Sequence, residues 1–105
     1  AFGMTDFTAG QTVLIPCTIG PGAFEHERMV VIVLEGPELS KLSGFVNERY
    51  IKEKKGKTFV RAKVTDVKED RLWIQIPGSF FQTAMGRAPV SSNWAASNLT
   101  PAEAA

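Results

Sequence analysis

His26 is the only histidine in the chain, and it stands between two carboxylates, Glu25 and Glu27. Adjacent nitrogen and oxygen donors invite a metal. A closed zinc site, however, takes four ligands, and no second histidine or neighbouring cysteine completes the set. No metal is expected. A hydrolytic triad requires a nucleophile held beside the imidazole, and nothing in the sequence places Cys17 or a serine there. Glu69 and Asp70 are paired carboxylates in a predicted turn, where water screens them and leaves their acidity ordinary. Gly20-Pro21-Gly22 lacks both the spacing and the lysine of a phosphate-binding loop. The expectation is a protein that is not an enzyme and carries no cofactor.

Cations and aromatics carry the stronger signal. Between Arg49 and Lys63 lie seven basic residues and one acidic residue, a local charge of +6, whereas the remainder of the chain carries −5. The whole chain is only +1 at neutral pH, so the case for an anionic partner is local rather than global. Lys52, Lys54, Lys55, Lys57, Arg61 and Lys63 are the candidate phosphate contacts. Trp73 is the candidate platform for stacking a base. The competing reading makes the lysines a solvated turn that keeps a sheet edge soluble, and has Trp73 covered by a loop or by the C-terminal tail. Trp94 and Phe24 are lone aromatics in weakly patterned segments, and they are the candidate contacts for a protein partner or for self-association.

These side chains must be positioned by strands. From Thr58 to Gly78 the sequence reads as one β-hairpin, the centre of the fold. Val60, Ala62 and Val64 alternate with Arg61, Lys63 and Thr65, and Leu72, Ile74 and Ile76 alternate with Trp73 and Gln75. That is the period-two pattern of half-buried strands. The expected register sets Val64 opposite Ile74, Ala62 opposite Ile76 and Asp66 opposite Leu72. Residues 67–71 are left for an odd turn or a bulge, consistent with the absence of an Asn-Gly or Asp-Gly pair. On the outer face this register pairs Lys63 with Gln75 and Thr65 with Trp73.

The other elements follow in chain order. Residues 1–9 are a lead-in, and Ala1-Phe2-Gly3, which precede the first methionine, Met4, are expected not to be native. A strand over residues 12–19 contains Pro16, which predicts an edge position or a bulge. Cys17 shares its apolar face and is expected to be a core residue rather than a nucleophile. A long exposed loop follows from Gly20 to Glu27. The next strand spans residues 28–35, and its apolar run from Met29 to Leu34 predicts cover on both faces, by the core and by a loop or partner subunit. Ser43 starts a third strand, in which Gly44 permits a bend or a close backbone approach. Residues 47–55 are expected to hold one short helical turn, with Asn47 as cap and Tyr50 and Ile51 facing inward, the alternative being a strand that runs into the turn at Gly56. Ser79-Phe80-Phe81 is expected to plug the end of the core, and residues 86–90 to form a last short strand. From residue 91 the composition turns to Ser, Asn and Ala, and a largely flexible tail, 91–105, is expected.

With 44% hydrophobic and 22% charged residues over 105 positions, the chain is one globular domain. Its longest apolar run is too short to span a bilayer, so no membrane is expected. The single cysteine excludes an internal disulfide and favours a reducing, cytoplasmic location. The pattern predicts an all-β fold, a five- to six-stranded antiparallel barrel over residues 10–90. Gly10-Gln11-Thr12-Val13, Ser43-Gly44-Phe45-Val46, the central hairpin and Pro77-Gly78-Ser79-Phe80-Phe81 together resemble an SH3-like barrel. The resemblance implies a scaffold for peptides, protein partners or RNA. The tyrosine pair of peptide-binding SH3 domains is absent, although Phe24 with Glu25 and Glu27 matches part of their groove. Two functions are therefore expected. The first is a non-catalytic binding module or assembly subunit working through protein contacts, and the second is binding of RNA or single-stranded DNA by the basic segment and Trp73.

Overall fold

The computed structural model describes residues 7–36, 40–83 and 85–102. The fold is all-β and antiparallel, as the alternation predicts, but its strands divide between two sheets and do not close into one barrel. The larger sheet contains β1 (Thr12–Pro16), β5 (Ile51–Lys54), β6 (Lys57–Val67), β7 (Arg71–Gln75), β9 (Arg87–Ser91) and β10 (Thr100–Pro101). The smaller contains β2 (Thr18–Pro21), β3 (Glu27–Val33), β4 (Lys41–Asn47) and β8 (Ser79–Phe80), in the order β2-β3-β4-β8. The expected count of five or six strands is too low because several are pieces of two to four residues. Such pieces carry too few alternations to register as a period.

The inward residues of both sheets form a single core. Val13, Ile15, Val60, Val64, Leu72, Ile74 and Val90 from the larger sheet meet Val30, Ile32, Leu42, Val46 and Phe80 from the smaller. Each fully buried aliphatic side chain contributes roughly 2 kcal/mol, and alternation decides which residues gain it except in β1 and β9, where Leu14 and Pro89 are buried as well. Pro16 and Cys17 mark the point where the chain leaves one sheet for the other. The expected single strand over residues 12–19 is therefore broken there into β1 and β2. Gly20 and Pro21 belong to β2 rather than to a loop, which shortens the connection to β3.

The central hairpin is β6 and β7. Lys63 faces Gln75 and Val64 faces Ile74 as expected, but a bulge at Thr65 shifts the rest, so that Asp66 faces Trp73 and Val67 faces Leu72. The odd residue is in the strand and not in the turn. Lys68 N–H donates to the Arg71 carbonyl at 2.8 Å, leaving Glu69-Asp70 as a two-residue loop. Neither loop residue has the positive φ of a primed turn. The bulge supplies extra right-handed twist that such a loop does not.

Asn47 caps the expected helical turn, accepting from Arg49 N–H at 3.0 Å, and Glu48–Tyr50 forms one turn of 3-10 helix before β5. Gly44 makes the close approach expected of it, since a Cβ there would collide with the Ser79 carbonyl of β8. Phe80 plugs the core, but its neighbour Phe81 points outward.

Two further expectations are corrected. The described part of the C-terminal segment is folded: α1 (Ser92–Asn98) is a helix, and β10 pairs with β1. Ser91 caps the helix by accepting from Trp94 N–H, while Ala95 and Leu99 are buried in the core. A 4-residue spacing of two apolar side chains, Ala95 and Leu99, is enough once a neighbouring sheet exists to receive them. The fold thus contains α1 in addition to the single helical turn predicted. Secondly, no loop among the described residues closes over the second face of β3, so of the two covers expected there only a partner subunit stays open. Val30 and Ile32 are buried, Met29 and Val31 are half-buried, and Val33 is 72% exposed. The expectation for residues 1–3 lies outside the described residues.

Candidate functional site

β6 is eleven residues long, longer than either strand on its second edge, and that mismatch creates the site. β1 lies along one edge, pairing with residues 59–63. The other edge is shared: β5 pairs with residues 57–60, and β7 begins at Lys63. Arg61 and Ala62 have no strand partner in that interval. A cleft of about 310 Å³ opens over them, walled by Tyr50, Gln75, Pro77 and Thr12 and flanked by the Arg61 and Lys63 side chains. Its size is at the small end of the range for ligand pockets, room for one ring system rather than an extended cofactor.

The outer face of the larger sheet continues from this cleft in both directions. Register and burial put Lys52 and Lys54 of β5, Arg61 and Lys63 of β6, Trp73 and Gln75 of β7 and Arg87 of β9 on that face. Asp66, opposite Trp73, is the carboxylate that the register adds. Its Oδ1 accepts from Val67 N–H at 3.0 Å. Lys55 occupies the β5–β6 turn with φ of +52°, and Lys57 opens β6 across from Lys54. The face is therefore cationic although the molecule is nearly neutral.

Two aromatic residues of this face, Trp73 and Tyr50, carry a guanidinium. The Arg87 Cζ lies 4.7 Å from the centroid of Trp73. The bulge holds it there: Arg87 Nε donates to Thr65 Oγ1 at 3.2 Å, and that hydroxyl donates to the Trp73 carbonyl at 3.4 Å. Arg49 stands 5.0 Å from the Tyr50 centroid and donates to the Tyr50 hydroxyl at 3.2 Å. Trp73 is half-buried, neither sealed in the core nor freely exposed. Gln75 is fixed by donating from Nε2 to the Met85 carbonyl.

Arg61, Lys63, Trp73, Lys52 and Lys54 thus share one face, while Lys55 and Lys57 lie at its hairpin end. Trp94 and Phe24 belong elsewhere. Trp94 packs against the core from α1, and Phe24 is 76% exposed at the β2–β3 connection. Tyr50 and Arg87 were not among the residues singled out from sequence. Tyr50 closes the helical turn expected there and packs partly against the core, and the same ring lines the cleft beside Arg61. Arg87 is 14 residues from Trp73, and only the pairing of β9 with β7 brings them together.

The smaller sheet presents a different outer surface. Met29, Val31 and Val33 of β3 lie beside Phe45 and Ser43 of β4, and Phe81 packs edge-on against Phe45 with centroids 5.9 Å apart. Phe81 is 67% exposed.

The groups with potential for covalent or metal chemistry are not assembled. The Cys17 thiol is half-buried, and desolvation pushes its pKa up from 9.0 to about 11, away from the thiolate. His26 is exposed, with Nδ1 3.1 Å from Glu48 Oε1 and Nε2 3.9 Å from Glu25, while Arg28 pairs with the other Glu48 oxygen at 2.9 Å. Among the described residues no group of three or more His, Cys, Asp or Glu side chains is arranged to hold a metal. Also among them, no helix is long and apolar enough to cross a membrane.

Compared with protein families, with curated proteins and with solved structures, the chain matches none of them.

Proposed function

We propose that this chain is a non-catalytic binding module whose cationic sheet face takes single-stranded RNA or DNA. The observation that carries the reading is the cleft at Arg61 and Lys63, bounded by Tyr50 and continuous with Trp73 under Arg87. A phosphate between Arg61 and Lys63 gains two charge-assisted hydrogen bonds. The attached base enters the cleft beside Tyr50, and a neighbouring base stacks on the outward plane of the Arg87 guanidinium, a surface that single-stranded nucleic acid uses alongside aromatic rings. Sequence selectivity is low, because the protein meets charge and ring faces rather than base edges.

Fluorescence anisotropy with labelled single-stranded oligonucleotides tests this. Wild-type affinity falls steeply with salt, and Arg61→Ala with Lys63→Ala weakens binding about tenfold or more while lowering the salt slope by roughly 0.7 for each phosphate that is no longer neutralised. No binding of any single strand at low salt removes the reading.

A second reading, association with another protein, is favoured by the exposed Val33 and Phe81 on the smaller sheet. Patches of contiguous apolar side chains on a small domain mark interaction surfaces, and Phe24 offers a further docking residue. In either reading the chain is used as SH3-like scaffolds are used, for binding. A cytoplasmic location belongs to the same proposal and is supported by the one unpaired thiol.

A further inference from the structure

We propose that the outer face of the smaller sheet is an interface with a second copy of this chain. The inference rests on the protein-association reading and is independent of the nucleic-acid one. Alternation along β3 puts Glu27, Met29, Val31 and Val33 on this face, and β4 sets Asn47, Phe45, Ser43 and Lys41 beside them. The centre is therefore largely apolar, Met29, Val31 and Phe45 with Phe81 added, and Ser43 is its polar member, bonded to Gln82; the two ends differ in charge. Glu27 marks one end. Lys41, opposite Val33, marks the other.

This polarity selects the partner and its orientation. A two-fold axis lying in the sheet plane and across the strands lays Lys41 of each copy over the Glu27–Asn47 end of the other, and stacks the Met29–Phe45 row on the Val31–Ser43 row. An axis along the strands would set Lys41 against Lys41. Only the first arrangement is self-complementary, which is the requirement of an isologous interface. Sheets packed face to face lie about 10 Å apart, a separation that a lysine side chain spans. Strand spacing and rise make the face roughly 19 by 23 Å. Two such faces bury on the order of 900 Å², below the roughly 1,200 Å² at which stable specific interfaces begin and within the weak, transient class, so the dimer is weak, with Kd on the order of 10 to 100 μM.

Sedimentation velocity and light scattering on the intact chain across that concentration range test the proposal. The expected mass rises from one chain towards two. Val33→Glu, at a side chain already open to water, leaves the circular dichroism unchanged and weakens association at least about tenfold. Lys41→Glu weakens it more at low salt than at high salt. A single-chain mass throughout, or association unaffected by Val33→Glu, overturns the second copy as occupant. Oxidative footprinting of the same samples separates the two levels: Phe81 and Met29 labelled in a strict monomer leave the face open to another protein, and protection in a monomer removes the protein-association reading as well.

Discussion

Cys17 shows how a single position is decided by its surroundings. Its side chain belongs to the turn between the sheets, its N–H donates to the Thr58 carbonyl at 3.0 Å, and burial lifts its pKa to about 11. An acid whose folded pKa lies above its unfolded value stabilises the fold below the unfolded pKa and loses that contribution as pH rises through the folded one. Stability is therefore expected to decline between pH 9 and 11. Cys17→Ala should flatten that part of a denaturation-against-pH profile. At pH 8 the native thiol should alkylate more than tenfold slower than in urea, because the thiolate is the reacting form. The sequence alone put Cys17 on an apolar face, and the structure agrees in part: the thiol packs against the core from its margin.

Among the elements, the β5–β6 hairpin carries a local conflict. Its two loop residues, Lys55 and Gly56, both have positive φ, as the mirror-image turns of tight hairpins require. Glycine adopts that backbone freely, but lysine does so at a cost of about 1 kcal/mol. Replacement of Lys55 by Asn should raise stability by about 0.5 to 1 kcal/mol in urea titrations, through better turn chemistry and relief of repulsion with Lys54 and Lys57. The same change should weaken oligonucleotide binding slightly, because it removes one cation from the hairpin end of the face. At the other end of the chain, Ser91 ends β9 and caps α1. Ser91→Ala should lower stability by about 1 kcal/mol, with loss of the described order of the C-terminal segment visible as faster amide exchange at Ala95 and Leu99. A tail that only frays would show no such effect.

For the molecule as a whole, the two sheets present opposite surfaces to water. One is cationic with guanidinium-capped aromatics, and the other is apolar with charged ends. If they act separately, Val33→Glu should weaken self-association at least about tenfold and leave oligonucleotide affinity within about twofold, since residues on different faces with no shared partner behave additively. A large change in affinity would show that binding needs two copies side by side. The all-β class, the hairpin of β6 and β7, the cap at Asn47 and the close approach at Gly44 were legible from residue order, because each depends on neighbours within a few positions or on a two-residue period. The outward side of Arg61 and Lys63 was legible for the same reason, whereas Lys52 and Lys54 join them only through the pairing of β5 with β6. What only tertiary structure decided is non-local. The division into two sheets turns on a corner at Pro16 and Cys17, the folding of residues 92–101 depends on an existing sheet to receive Ala95 and Leu99, and Arg87 reaches Trp73 only through strand pairing. Period-two alternation tells which side of a strand faces water, but strand pairing decides which strands stand beside it, and the cleft between Tyr50 and Gln75 exists because β5 and β7 share one edge of β6 and leave Arg61 and Ala62 between them.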